Sequence, residues 1–428
     1  MNALNSILKD VPIPEMLHVQ QTFNRNSISD IKGKLLAKIQ QKKIQSLIKP
    51  GQKIAVAVGS REIANERAIV STLINELKKY GAKPFIVPAM GSHGGATAEG
   101  QVKILNTLGI NSLTTGVPIV SSMETVQIGS TNSGLSVFTD REAYKSDGII
   151  LVNRVKHHTS FSGPLESGLC KMMAIGLGNQ RGAETCHNMG FPSMSENISS
   201  IADIVLQKVN ILFGVAIIEN AYHETAHIEI LKHKEIKKQE PELLRNAKTL
   251  AARLFFNKLD VLIIDEAGKN ISGTGFDLKL VGRSGKNTGE AGDIQVPDIT
   301  RIAVLDLTEE SHGNSNGIGM ADFITKRYFN KIDFSQTYPN SITTTDPARA
   351  KLPMVLDSDK LAIKAAIKTC NLKSLENVRL VRIKNTLSLD DILASPAALK
   401  SVTEPLRIKV IGEGFKFKFD SRANIKDL

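Results

Sequence analysis

The sequence predicts an α/β protein with two domains, each built on a mainly parallel sheet, and a cleft between them. Short apolar runs rich in β-branched residues alternate with segments of helical periodicity, which is typical of parallel α/β sheets. A long polar helical segment separates two stretches that both show this alternation. The chain has 428 residues, more than one hydrophobic core usually serves. We therefore predict an N-terminal domain over residues 1–250 and a C-terminal domain over residues 251–428.

The first strand is the run KIAVAVG at 53–59, which is apolar and ends in glycine. Helical periodicity follows and stops at Gly81, a residue type that commonly ends helices. The same reasoning assigns the remaining N-terminal elements, namely a strand at PFIVPAM, a helix at TAEGQVKILNTLG, and buried strands at 148–155 and 211–220.

The polar helical segment at 234–255 leads to a new apolar strand at 259–268, so we place the domain boundary within 245–257. The pattern then predicts, in order, a strand at 300–307, a helix at 317–330, a helix at 358–370 and a strand at 376–385. The second half thus repeats the α/β organisation of the first.

Composition indicates a cytoplasmic globular protein. Apolar residues make up 41% and charged residues 23%, as in ordinary globular domains. No apolar stretch approaches the roughly 20 residues that span a bilayer, and the N-terminus lacks the features of a signal peptide. Three cysteines are too few for a disulfide scaffold. We therefore expect no membrane association.

The net charge is +11, which is compatible with an anionic partner. Basic residues are dense only in KGKLLAKIQQKK and LKHKEIKKQ, where helical spacing favours solvated helix faces. Trp is absent, so aromatic stacking platforms for single strands are not evident. These features favour a small anionic metabolite over nucleic acid.

Ligands of open parallel sheets bind beyond the carboxyl ends of the strands, and His93 lies in such a loop. It stands between glycines in PAMGSHGGAT, directly after a predicted strand. An imidazole there could act as an acid or base on a bound substrate. A loop histidine bonded to a neighbouring carbonyl would give the same pattern.

A second loop, NRVKHHTSFSGP, follows the strand at 148–155. Neighbouring side chains of an extended chain point to opposite sides, so at most one of His157 and His158 faces a given pocket. Arg154 and Lys156 could hold an anionic substrate, although a solvated basic loop explains them as well.

Lys171 lies within an apolar helical run, and His187 follows sixteen residues later. On one straight helix they would be roughly 24 Å apart, too far to touch one ligand. Gly176, Gly178 and Gly182 predict that the helix stops and the chain folds back. The pair could then be a covalent anchor and a metal ligand, or a snorkelling lysine and a capping histidine.

Taken together, these motifs resemble the nickel-pincer-dependent lactate racemases and their 2-hydroxyacid racemase and epimerase homologues. The resemblance rests on five motifs in this order, over about residues 53 to 330: VAVGSREI, PAMGSHGGAT, RVKHHTSFSGPLESGLCKMMAIGLG, ETCHN and DEAGKNISGTGFD.

The resemblance implies a fold with the active-site cleft between two domains and a role for each matching residue. It implies a nickel-pincer nucleotide, a pyridinium-3-thioamide-5-thiocarboxylate mononucleotide that carries nickel. Its implied residues are the tether Lys171, the nickel ligand His187, the acid/base pair His93 and His158, the cofactor contacts Ser60 and Arg61, and the substrate contacts Arg154, Lys156 and Lys269.

The same resemblance implies an isomerase that inverts C2 of a 2-hydroxyacid by reversible hydride transfer. The loop VGSR lacks the acidic residue that lactate racemases tend to have before the arginine, and the stretch from His158 to Lys171 is longer than theirs. A larger acid, such as malate or an aldonic sugar acid, is therefore expected as readily as lactate. Cofactor-maturation proteins are expected partners, and a homo-oligomer stays open.

Two other functions fit the residues. One is an epimerase or lyase that uses a metal or the two histidines without the pincer cofactor. The other is a non-catalytic protein that binds anions or nucleic acid through its basic loops.

Overall fold

The structure is a computed structural model that describes residues 3–60, 62–283 and 295–426. The chain forms two compact units. One spans Asn24–Ala251, and the other combines the residues up to Phe23 with those from Ala252 onward. The predicted first domain, 1–250, differs from the first unit at its beginning. The reason is that Met16–Gln21 pairs with two strands from the end of the chain.

The strands alternate with helices along most of the chain. In chain order they are β1 (Met16–Gln21), β2 (Lys53–Val58), β3 (Lys83–Pro88), β4 (Thr125–Ser130), β5 (Ser136–Asp140), β6 (Gly148–Arg154), β7 (Ile211–Glu219), β8 (Thr225–Lys232), β9 (Lys258–Ala267), β10 (Asp298–Leu307), β11 (Phe323–Thr325), β12 (Met354–Leu356), β13 (Leu380–Ile383), β14 (Asp391–Ala394) and β15 (Ile408–Phe415).

The helices vary from single turns to about four turns. They are α1 (Ala3–Leu8), α2 (Ile31–Gln41), α3 (Glu66–Lys79), α4 (Ala98–Thr107), α5 (Ser112–Thr115), α6 (Arg141–Tyr144), α7 (Leu169–Lys171), α8 (Asn179–His187), α9 (Met194–Lys208), α10 (Ile236–Leu250), α11 (Lys326–Asn330), α12 (Phe334–Thr343), α13 (Asp359–Lys368) and α14 (Pro396–Leu399). A π-helical turn, Met172–Gly176, continues directly from α7.

The unit Asn24–Ala251 is built on a five-stranded sheet in the order β3-β2-β6-β7-β8. All its neighbours are parallel except β7 and β8. Alternate residues of β2 enter two different core clusters, with Ala55 and Ala57 in one and Ile54 and Val56 in the other. A strand buried on both faces needs apolar residues at nearly every position, which explains the continuous apolar run in the sequence.

The other unit contains an eight-stranded sheet in the order β12-β11-β10-β9-β13-β14-β1-β15. The five strands from β12 to β13 are parallel, and β14, β1 and β15 continue the sheet in antiparallel pairs. The predicted α/β class with mainly parallel sheets is therefore confirmed.

The helix predicted over 317–330 is wrong for most of its length. Residues Phe323–Thr325 form β11, and helix α11 begins only at Lys326. The buried residues of β11 pair with β10 and β12, so tertiary pairing outweighs the local helical pattern. Among the described residues, no helix is both long enough and apolar enough to cross a bilayer.

Candidate functional site

The site lies at the carboxyl edge of the five-stranded sheet, where the strand order reverses. The chain passes from β2 outward to β3 and then returns to place β6 on the other side of β2. Such a reversal leaves a crevice beyond the strand ends, the usual position of ligands in open α/β sheets. A Cβ built on Gly59, directly after β2, would lie 3.6 Å from Asn153 Oδ1 and 3.7 Å from Met172 Cε. The end of β2 therefore meets both β6 and the π-helical turn.

His93 is placed at this edge by the loop after β3. Its side chain is exposed, and its Nδ1 lies 2.5 Å from the hydroxyl oxygen of Ser60, which follows β2. Gly91, Gly94 and Gly95 all adopt positive φ angles, so this loop has a backbone conformation that favours glycine. Ser60, predicted as a cofactor contact, thus also orients the imidazole of His93.

The His93 loop rests on the π-helical turn. The N–H of Gly91 donates to the carbonyl of Gly176 at 3.1 Å. A Cβ at Gly176 would lie only 2.6 Å from the carbonyl oxygen of Ala89. Glycine at 176 therefore allows the close approach that joins the loop of the candidate residue His93 to the helical segment that carries Lys171.

Lys171 ends α7 and is half-buried. Its Nζ lies 5.9 Å from the centroid of the Phe161 ring. Burial raises the pKa of the Cys186 thiol to about 12, and the nearby Lys171 ammonium acts in the opposite direction.

The predicted fold-back between Lys171 and His187 is present, but its cause differs from the prediction. The residue with a left-handed backbone is Asn179, with φ of 51°, and none of the three glycines adopts a positive φ. Gly178 and Gly182 instead permit close packing, since a Cβ on Gly178 would lie 2.7 Å from the Cα of Gly182.

Asn179 can hold this conformation because its side chain is buried and bonded. Its Nδ2 donates to the carbonyl of Ser122 and to Asp140 Oδ2. Asparagine tolerates left-handed backbone better than most residues, and α8 then packs back against the π-helical turn. His187, at the end of α8, makes an edge contact with Phe191, with ring centroids 5.9 Å apart.

Hydrogen bonds hold both the backbone and the ring of His158. Its backbone N–H donates to Glu166 Oε2 at 2.6 Å, and its Nδ1 accepts from the N–H of Ser160 at 3.1 Å. The ring stacks on Phe161 with centroids 4.3 Å apart. Phe161 contacts both His158 and Lys171, so these two predicted residues lie together.

Helix α10 makes two contacts that the sequence did not predict, one to Glu166 and one to the backbone N–H of Cys170. Lys248 pairs with the fully buried Glu166 at 2.8 Å. Glu240, also buried, accepts the backbone N–H of Cys170 at 3.0 Å, and burial raises the pKa of Glu240 to about 7. In the sequence both α10 residues stand within a long charged run, where nothing distinguishes them from a solvated helix face.

Arg154 is engaged in a structural pair. Its guanidinium contacts the carboxylate of Glu219, and both side chains are largely buried. The neighbouring Glu66 is 3% exposed, with no hydrogen-bond partner at either carboxylate oxygen. Burial raises the pKa of Glu66 to about 8, opposed by Arg154 and reinforced by Glu219. The charge of Arg154 is therefore already engaged by the carboxylate of Glu219.

The remaining predicted residues are more dispersed. Lys156 forms a backbone bridge to Ser167, with a half-buried side chain. His157 is half-buried next to it. Lys269 belongs to the other unit, where its Nζ donates to the carbonyl of Gly273 at 2.7 Å. Arg61 lies outside the described residues.

The side chains present fit a lysine-tethered cofactor that brings most of its own metal donors. Lys171 offers a primary amine and His187 an imidazole nitrogen. Cys170 and Cys186 stand beside them, but burial raises the pKa of both thiols, which disfavours the thiolate that binds metals. Over the part of the chain that the structure describes, no group of three His, Cys, Asp or Glu side chains is arranged to hold a metal.

The chain is similar to known proteins in both sequence and fold. Residues 7–199 match the family model described as lactate racemase N-terminal domain. A crystal structure of a Thermotoga maritima protein is similar at 14% identity and a TM-score of 0.49, covering 66% of this chain and 72% of that one. The lactate racemase apoprotein from Thermoanaerobacterium thermosaccharolyticum is similar at 15% identity and a TM-score of 0.48, covering 83% and 86%. No match was found among curated proteins.

Proposed function

We propose, from the match of residues 7–199 to the family model described as lactate racemase N-terminal domain, that this protein is an isomerase that inverts C2 of a 2-hydroxyacid. The family match confirms the resemblance predicted from the sequence. The observation that carries the proposal is the meeting of two loops and one helix at the edge of a parallel sheet. Ser60 and His93 join there, and Phe161 contacts both His158 and Lys171.

Lys171 and His187 are the residues that would hold a nickel-pincer nucleotide. The amine of Lys171 would form the covalent tether, and the imidazole of His187 would bind the nickel. When bound, the cofactor would supply a reversible acceptor for hydride. The fold-back at Asn179 supports this assignment, because it packs α8, which ends at His187, against the π-helical turn that directly follows Lys171.

His93 and His158 together would handle the hydroxyl proton of the substrate. The C2 hydrogen of a 2-hydroxyacid is a very weak acid beside an ionised carboxylate, so removal as a proton is difficult. Loss of that hydrogen as hydride, with transfer of the hydroxyl proton to an imidazole, gives a planar 2-keto acid. Return of hydride to the opposite face, with return of the proton to oxygen, completes the inversion. Imidazole suits this task because its pKa lies close to neutral pH.

The substrate carboxylate needs a cation to orient it. Arg154 is already paired with Glu219, so between the two predicted cations of this loop we favour Lys156 over Arg154. Lactate, malate and aldonic sugar acids all carry the required 2-hydroxyacid group. The proposal includes cofactor-maturation proteins as partners, because the tether and the metal must be installed before turnover.

The test is isotope tracing with substrates deuterated at C2. The protein is produced together with cofactor-maturation proteins and incubated with deuterated lactate, malate or gluconate in ordinary water. We expect the inverted product to retain deuterium at C2, since hydride returns to the carbon it left. Extensive exchange of the label with solvent would instead indicate proton abstraction, as in an epimerase or lyase that works without the pincer cofactor.

A further inference from the structure

Glu240 of helix α10 carries a buried carboxyl group that contacts the segment before Lys171. Its exposed fraction is 1%, and its Oε2 accepts the backbone N–H of Cys170 at 3.0 Å. Among the described residues, its Oε1 has no hydrogen-bond partner. A buried polar atom without a partner costs free energy, so stability alone does not favour a glutamate at this position. The hydrogen bond that Glu240 does make goes to the residue directly before Lys171.

Gly168 leaves the space that this carboxyl group occupies. A Cβ built on Gly168 would lie 2.7 Å from the carboxyl carbon of Glu240 and closer still to its Oε1. The φ angle of Gly168 is 170°, an extended conformation that any residue can adopt, so the backbone itself does not require glycine. Glycine at 168 is therefore needed for the approach of Glu240 and not for the local backbone conformation.

A second anchor holds the same short segment from the sheet. The carbonyl of Gly168 accepts from Asn153 Nδ2, in β6, at 2.8 Å and from the backbone N–H of Met172 at 3.1 Å. Lys171 lies between Cys170 and Met172, the two residues whose N–H groups are held. The backbone on one side of the lysine is therefore fixed by α10, and on the other side by β6 through Gly168.

The position of this backbone decides where the lysine amine lies. A lysine has a flexible stem of four carbons, so its amine is placed only when the backbone and the surroundings restrict it. Lys171 is half-buried, with Nζ 5.9 Å from the centroid of the Phe161 ring. A misplacement of about 1 Å at a reacting group can cost on the order of 10²-fold in rate. A shift of this segment would therefore affect a reaction at a group bonded to the amine.

We propose that Glu240 is a positioning residue for Lys171: its carboxyl group holds the backbone N–H of Cys170 and thereby sets where the amine presents a covalently attached cofactor. This inference rests on the proposed function, in which Lys171 is the tether. Glu240 acts through the backbone and takes no part in proton or hydride transfer. The role requires an acceptor oxygen at position 240, and a negative charge is not needed.

Two variants separate the acceptor oxygen from the rest of the side chain. Glu240→Gln keeps the shape and an acceptor oxygen. Burial raises the pKa of Glu240 to about 7, so a neutral side chain is already compatible with the site. Glu240→Met keeps the length but removes the acceptor. Lys38→Met is the matched control, because it breaks a largely buried pair with Glu229 in the same unit and involves none of the candidate site residues.

Hydrogen exchange resolved to single amides tests the contact on the full chain, without cofactor or substrate. The Cys170 amide is compared with the amides of β6, which report unfolding of the whole sheet. We expect Glu240→Met to accelerate exchange at Cys170 relative to β6 by on the order of 10- to 100-fold, since a buried N–H loses its acceptor. Glu240→Gln and Lys38→Met should leave this ratio unchanged. An unchanged ratio in Glu240→Met would overturn the inference.

Kinetics of the cofactor-loaded protein test the positioning role. Intact mass gives the fraction of chains that carry the adduct, so kcat can be expressed per adduct. We expect Glu240→Met to lower kcat per adduct by on the order of 10- to 100-fold, with little change in KM, and Glu240→Gln to retain it. A merely structural role would reduce the amount of loaded protein, as in Lys38→Met, and leave kcat per adduct unchanged. That result would overturn the inference.

Gly168→Ala tests the same contact from the other side and serves if Glu240→Met does not fold. The added Cβ displaces the carboxyl group, so we expect the same acceleration at Cys170 and the same loss of kcat per adduct. Normal values of both quantities would overturn the inference. An unmodified, cofactor-loaded protein that inverts no 2-hydroxyacid would instead overturn the proposed function, and hydrogen exchange would still decide whether Glu240 holds the segment before Lys171.

Discussion

Both sheets of this protein contain a reversal of strand order, but different side chains lie at the two reversals. Strand order reverses between β2 and β6 in one sheet and between β9 and β13 in the other. At the first reversal, imidazole and hydroxyl side chains meet, as Ser60 and His93 do. At the second, an amide meets a carboxylate and an ammonium meets a backbone carbonyl: Asn385 donates to Glu266, and Lys269 donates to the carbonyl of Gly273.

This difference between the two reversals shows that strand order creates a crevice but does not determine which chemical groups lie there. Loop residues decide whether the groups at the crevice are turned toward a ligand or used to close the loop itself. Substitutions in matched positions of the two units therefore should have unequal effects.

The largest expected effect comes from removing the predicted tether. Lys171→Met keeps an unbranched apolar side chain of similar length at this half-buried position but removes the amine, so no covalent adduct can form. We expect intact mass to show no adduct and racemisation to fall by at least about 10³-fold, since the hydride acceptor is lost. Lys269→Met is the matched control in the other unit. It should still carry the adduct, with its effect mainly on KM. An adduct on Lys171→Met would contradict the assignment.

The next effect is on stability and compares two ion pairs. Lys248→Met leaves the carboxylate of Glu166 buried without its partner, and breaking a buried pair typically costs about 3–5 kcal/mol. The counterpart is Arg382→Met, which breaks the pair with Asp265, a carboxylate that is 25% exposed. Hydrogen exchange in each sheet reports the two units separately. We expect the larger loss for Lys248→Met, and equal losses would show that the loop of His158 needs no such support.

A third effect concerns pH. Glu66 has a folded pKa of about 8, above its ordinary value of 4.5, because of burial. Its contribution to stability is therefore complete below pH 4.5 and is lost as pH rises through about 8. One group gives a slope of at most about 1.4 kcal/mol per pH unit.

We expect Glu66→Gln to reduce this loss between pH 5 and pH 8, measured by urea unfolding. In the other unit, burial also raises the pKa of Asp265, but Arg382 opposes the shift. Asp265→Asn should therefore change the pH dependence less. Parallel stability curves for Glu66→Gln and the unmodified protein would exclude Glu66 as the titrating group.

The smallest expected effect is on the free energy of unfolding, in a comparison of two asparagines that have a left-handed backbone. Asn179 and Asn371 have φ angles of 51° and 53°, but Asn179 is buried and Asn371 is exposed. Glycine adopts this conformation freely. We expect Asn371→Gly to change the free energy of unfolding by less than about 0.5 kcal/mol. Asn179→Gly should cost about 1–3 kcal/mol through its lost buried hydrogen bonds. Matching effects would mean that backbone conformation alone governs the fold-back.

The sequence predicted much of the N-terminal unit because its strands and helices have strong local patterns. The run at 53–59 became β2, and the helix that stops at Gly81 became α3, with Gly81 at φ of 82°. The pattern at 317–330 failed, since pairing with two neighbours turned three of its residues into a strand.

By itself the sequence determined the α/β class, the order of the motifs, the loops that contain His93 and His158 and the helical segment that contains Lys171, because apolar periodicity and turn residues act over a few positions. Only the tertiary structure decided that Asn179, and not a glycine, has the left-handed backbone at the fold-back. The same holds for the two contacts of α10, in which Lys248 pairs with Glu166 and Glu240 accepts the backbone N–H of Cys170. It also decided that β1 joins the sheet of the C-terminal unit. Contacts between distant segments depend on the packing of the whole chain, and a local sequence pattern does not specify them.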